Sequence, residues 1–211
     1  MPIEFKKNAI AGHTPEIWRG ECKILPGGFK PKNTIPVGNK VRRGTLLEVN
    51  FEELSAAVIK VATVLSGGTT KAPRIGKGHH FAVGDVVAKV GDGTKSPIIT
   101  AIDTSNSDYD IITLTAAITG LAENDVIIES TEYQAASGEG ADATAEVLAK
   151  PKYTPNMVVG AVFENTGKGL PAISAAYEAV VLYPSLTFPI LSDWLTGVCL
   201  KSNPNILFIK Q

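Results

Sequence analysis

The sequence predicts an all-β protein with a few short helical turns. Val, Ile and Thr together supply 55 of the 211 residues, and β-branched side chains of this kind favour strands. The apolar runs are short and are separated by turn residues, since the chain also contains 20 Gly and 13 Pro. These observations lead us to expect a β-rich outer domain that carries an inserted small β-barrel.

The middle segment, residues 72–130, has the clearest strand pattern. We predict four strands in it, at residues 85–90, 97–103, 109–115 and 125–129, because each of these runs is β-branched and bounded by turn residues. A segment of roughly 60 residues suffices for a small barrel. We therefore interpret this segment as the inserted barrel.

The two flanking segments are predicted to form the outer domain together. Residues 1–71 and 150–211 would make one discontinuous β domain, and residues 131–149 would be a linker or an exposed loop, because they are mostly small and polar. Within this domain, residues 56–65 could form a strand or a helix, and their β-branched side chains favour the strand. Residues 171–183 fit either a short helix or a strand, and the sequence leaves both open.

The charge of the chain is nearly balanced overall but unevenly distributed. With 20 basic and 21 acidic residues the net charge is −1, whereas residues 1–71 sum to +5, residues 72–130 to −4 and residues 131–211 to −2. A near-neutral chain lacks the basic surface that nucleic acids or acidic membranes require. No apolar run approaches the roughly 20 residues that span a bilayer. The sequence therefore predicts neither a nucleic-acid nor a membrane partner.

The basic first third contains the candidate partner-binding residues, Lys30, Lys32, Arg42 and Arg43. One interpretation is a solvated charged face, and the other is a contact with an acidic partner surface. No aromatic residues are interleaved with these charges, so a platform for single-stranded nucleic acid is not indicated.

The sequence shows no motif for catalysis, and we predict neither an enzyme nor a cofactor. A nucleophile-elbow motif, G-x-S-x-G, is missing from the sequence. His79 and His80 are adjacent, which is unfavourable for a shared metal on a strand, and an exposed strand entrance is expected for them. A Ser/Asn turn is surrounded by Asp103, Asp108 and Asp110. Asx turns explain aspartates at such positions, and whether these three also bind a calcium ion is left open.

The ends and cysteines indicate the compartment. No secretory signal is recognisable at the start of the sequence, because polar residues interrupt any apolar run there, so we expect the protein to be made and kept on the cytoplasmic side or to be released by lysis. Cys22 and Cys199 are expected to be buried, unreacted thiols. Residues 1–30 are rich in Lys, Gly and Pro, and whether they are ordered without a partner stays open.

Several short motifs occur in an order that we recognise. They begin with Lys6–Pro15, Gly27–Pro31, Pro36–Gly38 and Arg42–Thr45, continue with Gly84–Ala88, Ile102–Asn106 and Tyr109–Asp110, and end with Pro155–Gly160, Ala175–Val181 and Asn203–Ile209. Together they resemble the head fibre proteins of tailed phages and prophages of gut bacteria. The outer domain also resembles the lambda-type head decoration proteins, through Gly38–Leu46, Ala176–Leu182 and Ile206–Lys210.

This resemblance implies a structural virion protein on the outside of a phage capsid. Its partner would be the major capsid protein, its oligomer a homotrimer, and its location the virion surface, with the host cytoplasm as the site of assembly. The chain has no heptads or repeated shaft, unlike the long head fibres. Residues 72–130 are also additional to a minimal decoration protein. The alternative function is therefore a ligand-binding or host-surface adhesion module carried on the inserted barrel.

Overall fold

The structure, a computed structural model, describes residues 17–138, 144–169 and 172–210. It is nearly all-β, as predicted, and its described part has no helix of seven or more residues. Helical structure is represented by two three-residue 3₁₀ turns, Tyr183–Ser185 and Ser192–Trp194. The question of order in residues 1–30 falls partly outside the described residues, since these begin at residue 17.

Seventeen strands make up the described fold. In chain order they are β1 (Trp18–Ile24), β2 (Lys30–Pro31), β3 (Lys40–Val41), β4 (Leu46–Asn50), β5 (Ser55–Val58), β6 (Val61–Leu65), β7 (Arg74–Gly76), β8 (Val87–Lys89), β9 (Ile99–Asp103), β10 (Tyr109–Leu114), β11 (Val126–Glu129), β12 (Met157–Val159), β13 (Phe163–Glu164), β14 (Ala175–Leu182), β15 (Leu195–Thr196), β16 (Cys199–Leu200) and β17 (Asn203–Ile209).

The larger sheet has nine strands and contains elements from both ends of the chain. Its order is β15-β16-β17-β14-β12-β4-β5-β2, and β1 pairs with β14 outside this path. Two of its pairings, β14 with β17 and β2 with β5, are parallel, and the others are antiparallel. Strands β3 and β13 form a separate two-stranded ladder.

The second sheet has six strands in the order β8-β11-β6-β7-β10-β9. Its two edge strands meet where Val86 bridges Ile98, so the sheet curls into a half-barrel, which we call the barrel. The four strands predicted in the middle segment are confirmed as β8, β9, β10 and β11. The predicted domain boundary at residue 72 stays a prediction; β6, which precedes it, pairs within the barrel sheet.

Alternating side chains of the same strands supply different cores, as the period of two along a strand requires. On β4, Leu46 enters a core shared with the barrel exterior, whereas Leu47 enters the opposite core of the large sheet. On β11, Ile128 joins the shared core and Ile127 enters the barrel. The barrel interior is filled by apolar side chains that include Phe81. Burial on both faces explains the continuous apolar runs in the sequence.

The structure resolves two segments that the sequence describes only coarsely. Residues 56–65, predicted as one strand, form two strands in different sheets, because the chain crosses from the large sheet to the barrel at Ile59 and Lys60. Residues 175–182 are strand β14, paired with β12 and β17, so the strand alternative is confirmed there. In both ladders, the backbone N–H and C=O groups of β14 form hydrogen bonds with a neighbouring strand, whereas a short helix would leave the groups at its ends without partners.

Residues 131–138 leave the barrel, and residues 144–149 return antiparallel to them. Gln134 and Val147 exchange backbone hydrogen bonds of 2.9 Å in both directions, and Ser137 and Thr144 are bridged in the same manner. Most side chains of this segment are exposed, although Ala149 is buried against the turn at Gly93. We call the described residues of 131–149 the arm.

The two cysteines are free thiols, as predicted, but the prediction that they are buried is wrong. Both are half-buried, because Cys22 lies on β1, which pairs with β14 alone, and Cys199 lies on the short strand β16. Burial raises the pKa of the Cys22 thiol, and the nearby Arg43 charge opposes this rise.

Candidate functional site

The predicted partner-binding residues Lys30 and Lys32 lie together at the edge of the large sheet. Both are exposed, and their backbone N–H groups donate to Leu54 and Ala56 of the neighbouring chain segment at 2.9 and 2.8 Å. The Lys32 ammonium lies 3.4 Å from a carboxylate oxygen of Glu53. These two lysines therefore lie next to the turn between β4 and β5.

That turn presents two large apolar side chains to solvent. Phe51 is 55% exposed and Leu54 is 62% exposed. Phe51 packs edge-on against the buried Phe29, with ring centroids 5.9 Å apart. The Asn50 side chain accepts from the backbone N–H groups of Glu52 and Glu53 at 2.9 and 3.0 Å, which fixes the turn. We call Lys30, Lys32, Phe51, Glu53 and Leu54 the hairpin corner.

Leu54 is held in a strained backbone conformation. Its φ is 49°, in the left-handed region that branched apolar residues rarely adopt, and its side chain is not buried in exchange. Strain of this kind persists where the surroundings enforce it, and it concentrates at functional positions. Sequence patterns do not reveal a positive φ at leucine, so sequence reasoning missed Phe51 and Leu54.

The other two predicted residues, Arg42 and Arg43, lie elsewhere. Both are exposed in the turn between β3 and β4, at the opposite end of β4 from the hairpin corner. The five residues of β4 span roughly 16 Å. The structure therefore divides the four predicted basic residues into two separate pairs.

A second feature is a cleft of about 610 Å³ between the chain before β3 and the barrel. Residues 36–39 form one wall, and residues 77–83 form the other together with Ile102, Thr104 and Asp110. We call it the histidine cleft, because His79 and His80 both line it.

His79, Lys77 and Asp110 form a hydrogen-bonded network at the cleft. His79 Nε2 lies 3.1 Å from Asp110 Oδ2, and the Lys77 ammonium donates to the other carboxylate oxygen. The Phe81 backbone N–H donates to His79 Nδ1 at 2.9 Å, so Nε2 carries the proton that His79 donates to Asp110. Burial lowers the pKa of His79, and the Asp110 charge opposes this change.

His80 differs from His79, because its Nδ1 is buried without a hydrogen-bond partner in the described part of the chain. The side chain is only 4% exposed, and its φ of 60° lies in the left-handed region. Burial, with the charges of His79, Lys60 and Arg42, lowers the pKa of His80 to about 4, so the ring is neutral at pH 7. The prediction of an exposed strand entrance is wrong for both histidines, which lie buried in a loop.

The three aspartates of the predicted Ser/Asn turn do not converge. Asp103 accepts from Ser105 N–H at 2.9 Å in an Asx turn, whereas Asp110 faces inward to Lys77 and His79. Across residues 17–138, 144–169 and 172–210, no three His, Cys, Asp or Glu side chains are grouped so that they could hold a metal ion. Asx-turn chemistry therefore accounts for Asp103, and an internal ion pair accounts for Asp110.

Comparisons of the chain with known protein families, with curated proteins and with solved structures found no match. Within the described residues, no helix combines the length and apolar character needed to cross a membrane. The geometry thus defines an all-β protein with two surface features, the hairpin corner and the histidine cleft.

Proposed function

We propose that this chain is a structural virion protein that docks on the outside of an assembled phage capsid, as a head fibre or decoration protein. The observation that carries the proposal is the hairpin corner, where exposed Phe51 and strained, exposed Leu54 lie beside Lys30 and Lys32. The order of motifs shared with head fibre proteins supports the same function.

The composition of the corner suits a docking surface. Aromatic side chains are enriched among the residues that anchor protein interfaces, and Phe51 is already pre-positioned by its contact with Phe29. Charges at the rim of an interface steer association and choose the partner, which is the role we assign to Lys30 and Lys32. Because Glu53 of the corner already pairs with Lys32, the partner surface is a partly apolar patch on the major capsid protein with acidic groups opposite Lys30.

Symmetry would add to this weak contact. A capsid repeats the same site many times, and a homotrimer, the oligomer that we propose, would engage three of these sites at once. Arg42 and Arg43 stay candidate partner-binding residues, at a second contact or between protomers, because they lie at the other end of β4. The protein would be assembled in the host cytoplasm and carried on the virion surface, with no catalytic role.

Co-sedimentation with purified capsids of the encoding phage tests the proposal. We expect the full chain to sediment with capsids at low salt and to be released as salt rises, because charge steering is screened. The double variant Lys30→Glu, Lys32→Glu should bind at least tenfold more weakly. The matched control carries Lys71→Glu and Lys95→Glu, which alters the charge by the same amount at two exposed lysines in loops of the barrel, outside both pairs of candidate residues.

Two results would contradict the proposal in different ways. Wild-type protein that stays in the supernatant at low salt, with correctly folded chains and intact capsids, would exclude capsid docking. Equal loss of binding in both double variants would retain docking but exclude the hairpin corner as the specific contact.

The second candidate function is binding of a hydroxyl-rich ligand, such as a host-surface glycan, in the histidine cleft. The observation that favours it is His80 Nδ1, a buried polar atom that has no partner among the described residues. Lys77 and Asp110 supply a donor and an acceptor nearby, and Val37 and Val83 supply apolar walls. Phe81, which lines the cleft, is buried and stacked against His79, so it offers no stacking face to a sugar.

A glycan array probed with the labelled full chain tests this second function. Binding to a defined glycan, abolished by His80→Asn and retained in the Lys30→Glu, Lys32→Glu variant, would support it. A blank array at high protein concentration would remove host glycans as the ligand of the cleft.

A further inference from the structure

Three charged side chains meet in the interior, at the junction of the large sheet and the barrel. Lys60 is fully buried, and its Nζ lies 2.6 Å from Asp85 Oδ2 and 3.8 Å from Glu129 Oε2. Both carboxylates are themselves almost completely buried. Neither the docking surface nor the histidine cleft requires this cluster.

The backbone holds the three residues in fixed positions. The Glu129 N–H donates to the Lys60 carbonyl at 3.0 Å, and the Ser130 N–H donates to the Val86 carbonyl at 2.9 Å. Glu129 is therefore the last residue of β11, and this strand lies between the segment that carries Lys60 and the segment that carries Asp85. The Ala82 N–H donates to Asp85 Oδ2 at 2.7 Å, which orients that carboxyl group.

Glu129 is oriented by two further groups. Lys152 Nζ donates to its Oε1 at 2.9 Å, and Asn33 Nδ2 donates to its Oε2 at 3.0 Å. With both oxygens held, the side chain keeps one carboxylate oxygen directed at the Lys60–Asp85 pair. Such pre-orientation is what proton transfer by a side chain requires.

Burial favours the uncharged form of Asp85. Desolvation raises the pKa of Asp85, although the nearby Lys60 charge opposes the rise. Transfer of one proton from the Lys60 ammonium to the Asp85 carboxylate yields an amine beside a carboxylic acid, the two groups from which an amide forms. The reacting amine is shielded from bulk solvent, because the Lys60 side chain is fully buried.

We propose that Lys60 and Asp85 become joined by an intramolecular isopeptide bond, with Glu129 as the residue that transfers the protons. The Lys60 Nζ lone pair attacks Asp85 Cγ and forms the C–N bond. Glu129 removes a proton from the nitrogen and delivers it to the hydroxyl group on Cγ, whose C–O bond then breaks. One water molecule leaves and Glu129 returns to its starting state, so no oxidant, reductant or activating nucleotide is consumed.

The bond would link positions that are 25 residues apart in the chain. It would tie the first residue before β6 to the segment before β8, beside the crossing from the large sheet to the barrel. A covalent link there restricts the unfolded chain and slows its complete unfolding, as other cross-links do. That property suits a protein exposed on a surface outside the cell.

Mass spectrometry of the denatured full chain tests the bond. We expect an intact mass lower than the sequence dictates by one water, about 18 Da. Trypsin should release a branched peptide in which residues 44–71 are joined to residues 78–89, because a modified Lys60 is not cleaved. An unchanged mass together with free peptides 44–60 and 61–71 would overturn the proposal.

Variants separate the chemistry from folding. Lys60→Met and Asp85→Ala should show the unaltered mass of their own sequences, and Glu129→Gln should lose most of the cross-link while its near-UV circular dichroism shows a folded protein. Asp85→Asn should still react but lose ammonia, about 17 Da, instead of water. Complete cross-linking in folded Glu129→Gln would overturn the role of Glu129.

The chain also offers a matched internal control. Lys89 and Asp125 form an ion pair of 2.7 Å, but both side chains are partly exposed. We expect no branched peptide joining these two residues. If this pair were cross-linked as completely as Lys60 and Asp85, burial and Glu129 could not be the cause, and the proposed mechanism would be wrong.

Discussion

Asn33 and Val58 exchange hydrogen bonds as two paired strands would, although one partner is a side chain. Asn33 Nδ2 donates to the Val58 carbonyl at 2.8 Å, and the Val58 N–H donates to Asn33 Oδ1 at 3.0 Å. Because the same Nδ2 also reaches Glu129, Asn33 connects the edge of the large sheet to the buried charges of the barrel. One side chain thus couples the two sheets.

Replacement of this side chain by Asn33→Ala should lower the free energy of unfolding by about 3 kcal/mol. The variant leaves the Val58 N–H and carbonyl without their partner and removes a donor from Glu129, and each unsatisfied buried group costs about 1–3 kcal/mol. Urea denaturation monitored by fluorescence measures the change. Asn156→Ala is the matched comparison, because the Asn156 side chain makes the same two-way contact with Val49. Within the described residues, no hydrogen bond joins the Asn156 side chain to Glu129. A smaller loss in Asn33→Ala than in Asn156→Ala would contradict the coupling.

The strained Leu54 provides a prediction that separates stability from docking. Asn tolerates a positive φ better than Leu does, so Leu54→Asn should stabilise the isolated chain by about 1 kcal/mol. The same variant removes an apolar anchor from the hairpin corner and should weaken capsid binding. Thermal unfolding and co-sedimentation measure the two effects on one preparation. A variant that is less stable and binds normally would show that Leu54 serves the fold.

Contact between the arm and the barrel depends on the missing side chain of Gly93. A Cβ placed there would lie 2.4 Å from the Ala149 carbonyl oxygen and 2.9 Å from its nitrogen, and a backbone cannot move aside as a flexible side chain can. Gly93→Ala should therefore cost about 2 kcal/mol and accelerate amide hydrogen exchange at Ala149. Gly76→Ala is the control, since a Cβ at Gly76 meets no described atom within 4 Å. Equal exchange rates at Ala149 in both variants would contradict this contact.

His80 should make the stability of the protein depend on pH. Its pKa is about 4 in the folded chain against 6.5 for an ordinary histidine, so the unfolded state binds more protons between these values. The stabilisation that comes from keeping His80 neutral is therefore fully present above pH 6.5, and it is lost as the pH falls towards 4. At about 1.4 kcal/mol per pH unit, the loss approaches 3 kcal/mol.

The variant His80→Asn isolates this contribution, because Asn accepts the left-handed backbone and does not titrate. The difference in unfolding free energy between wild type and variant should change by up to about 3 kcal/mol between pH 7 and pH 4. The other titratable groups are the same in both proteins, so their contributions cancel in this difference. Denaturant titrations at several pH values measure it. A constant difference across this range would show that His80 does not titrate as described.

The strands could be predicted because their signal is local. Short β-branched runs between turn residues located β8 to β11 closely, and alternation explains why each face is apolar. The break between β5 and β6 could not be predicted, since the run from Ser55 to Leu65 is almost uninterrupted and only tertiary pairing assigns its halves to different sheets.

The site depended on information that the sequence does not carry. Lys30, Lys32, Arg42 and Arg43 are close in sequence, yet the length of β4 separates them into two pairs. The sequence shows that His79 and His80 are adjacent, but not that the loop that carries them packs against the barrel and buries both side chains. The unusual φ of Leu54 and of His80 has no signature in the residue types.

The most direct test of the central proposal is a single-particle reconstruction of phage capsids incubated with the full chain. Our account predicts extra density at symmetric positions on the outside of the shell, with the turn of residues 51–54 directed at the major capsid protein and the barrel directed outward. Capsids whose outer surface is unchanged at saturating protein concentration would contradict the account.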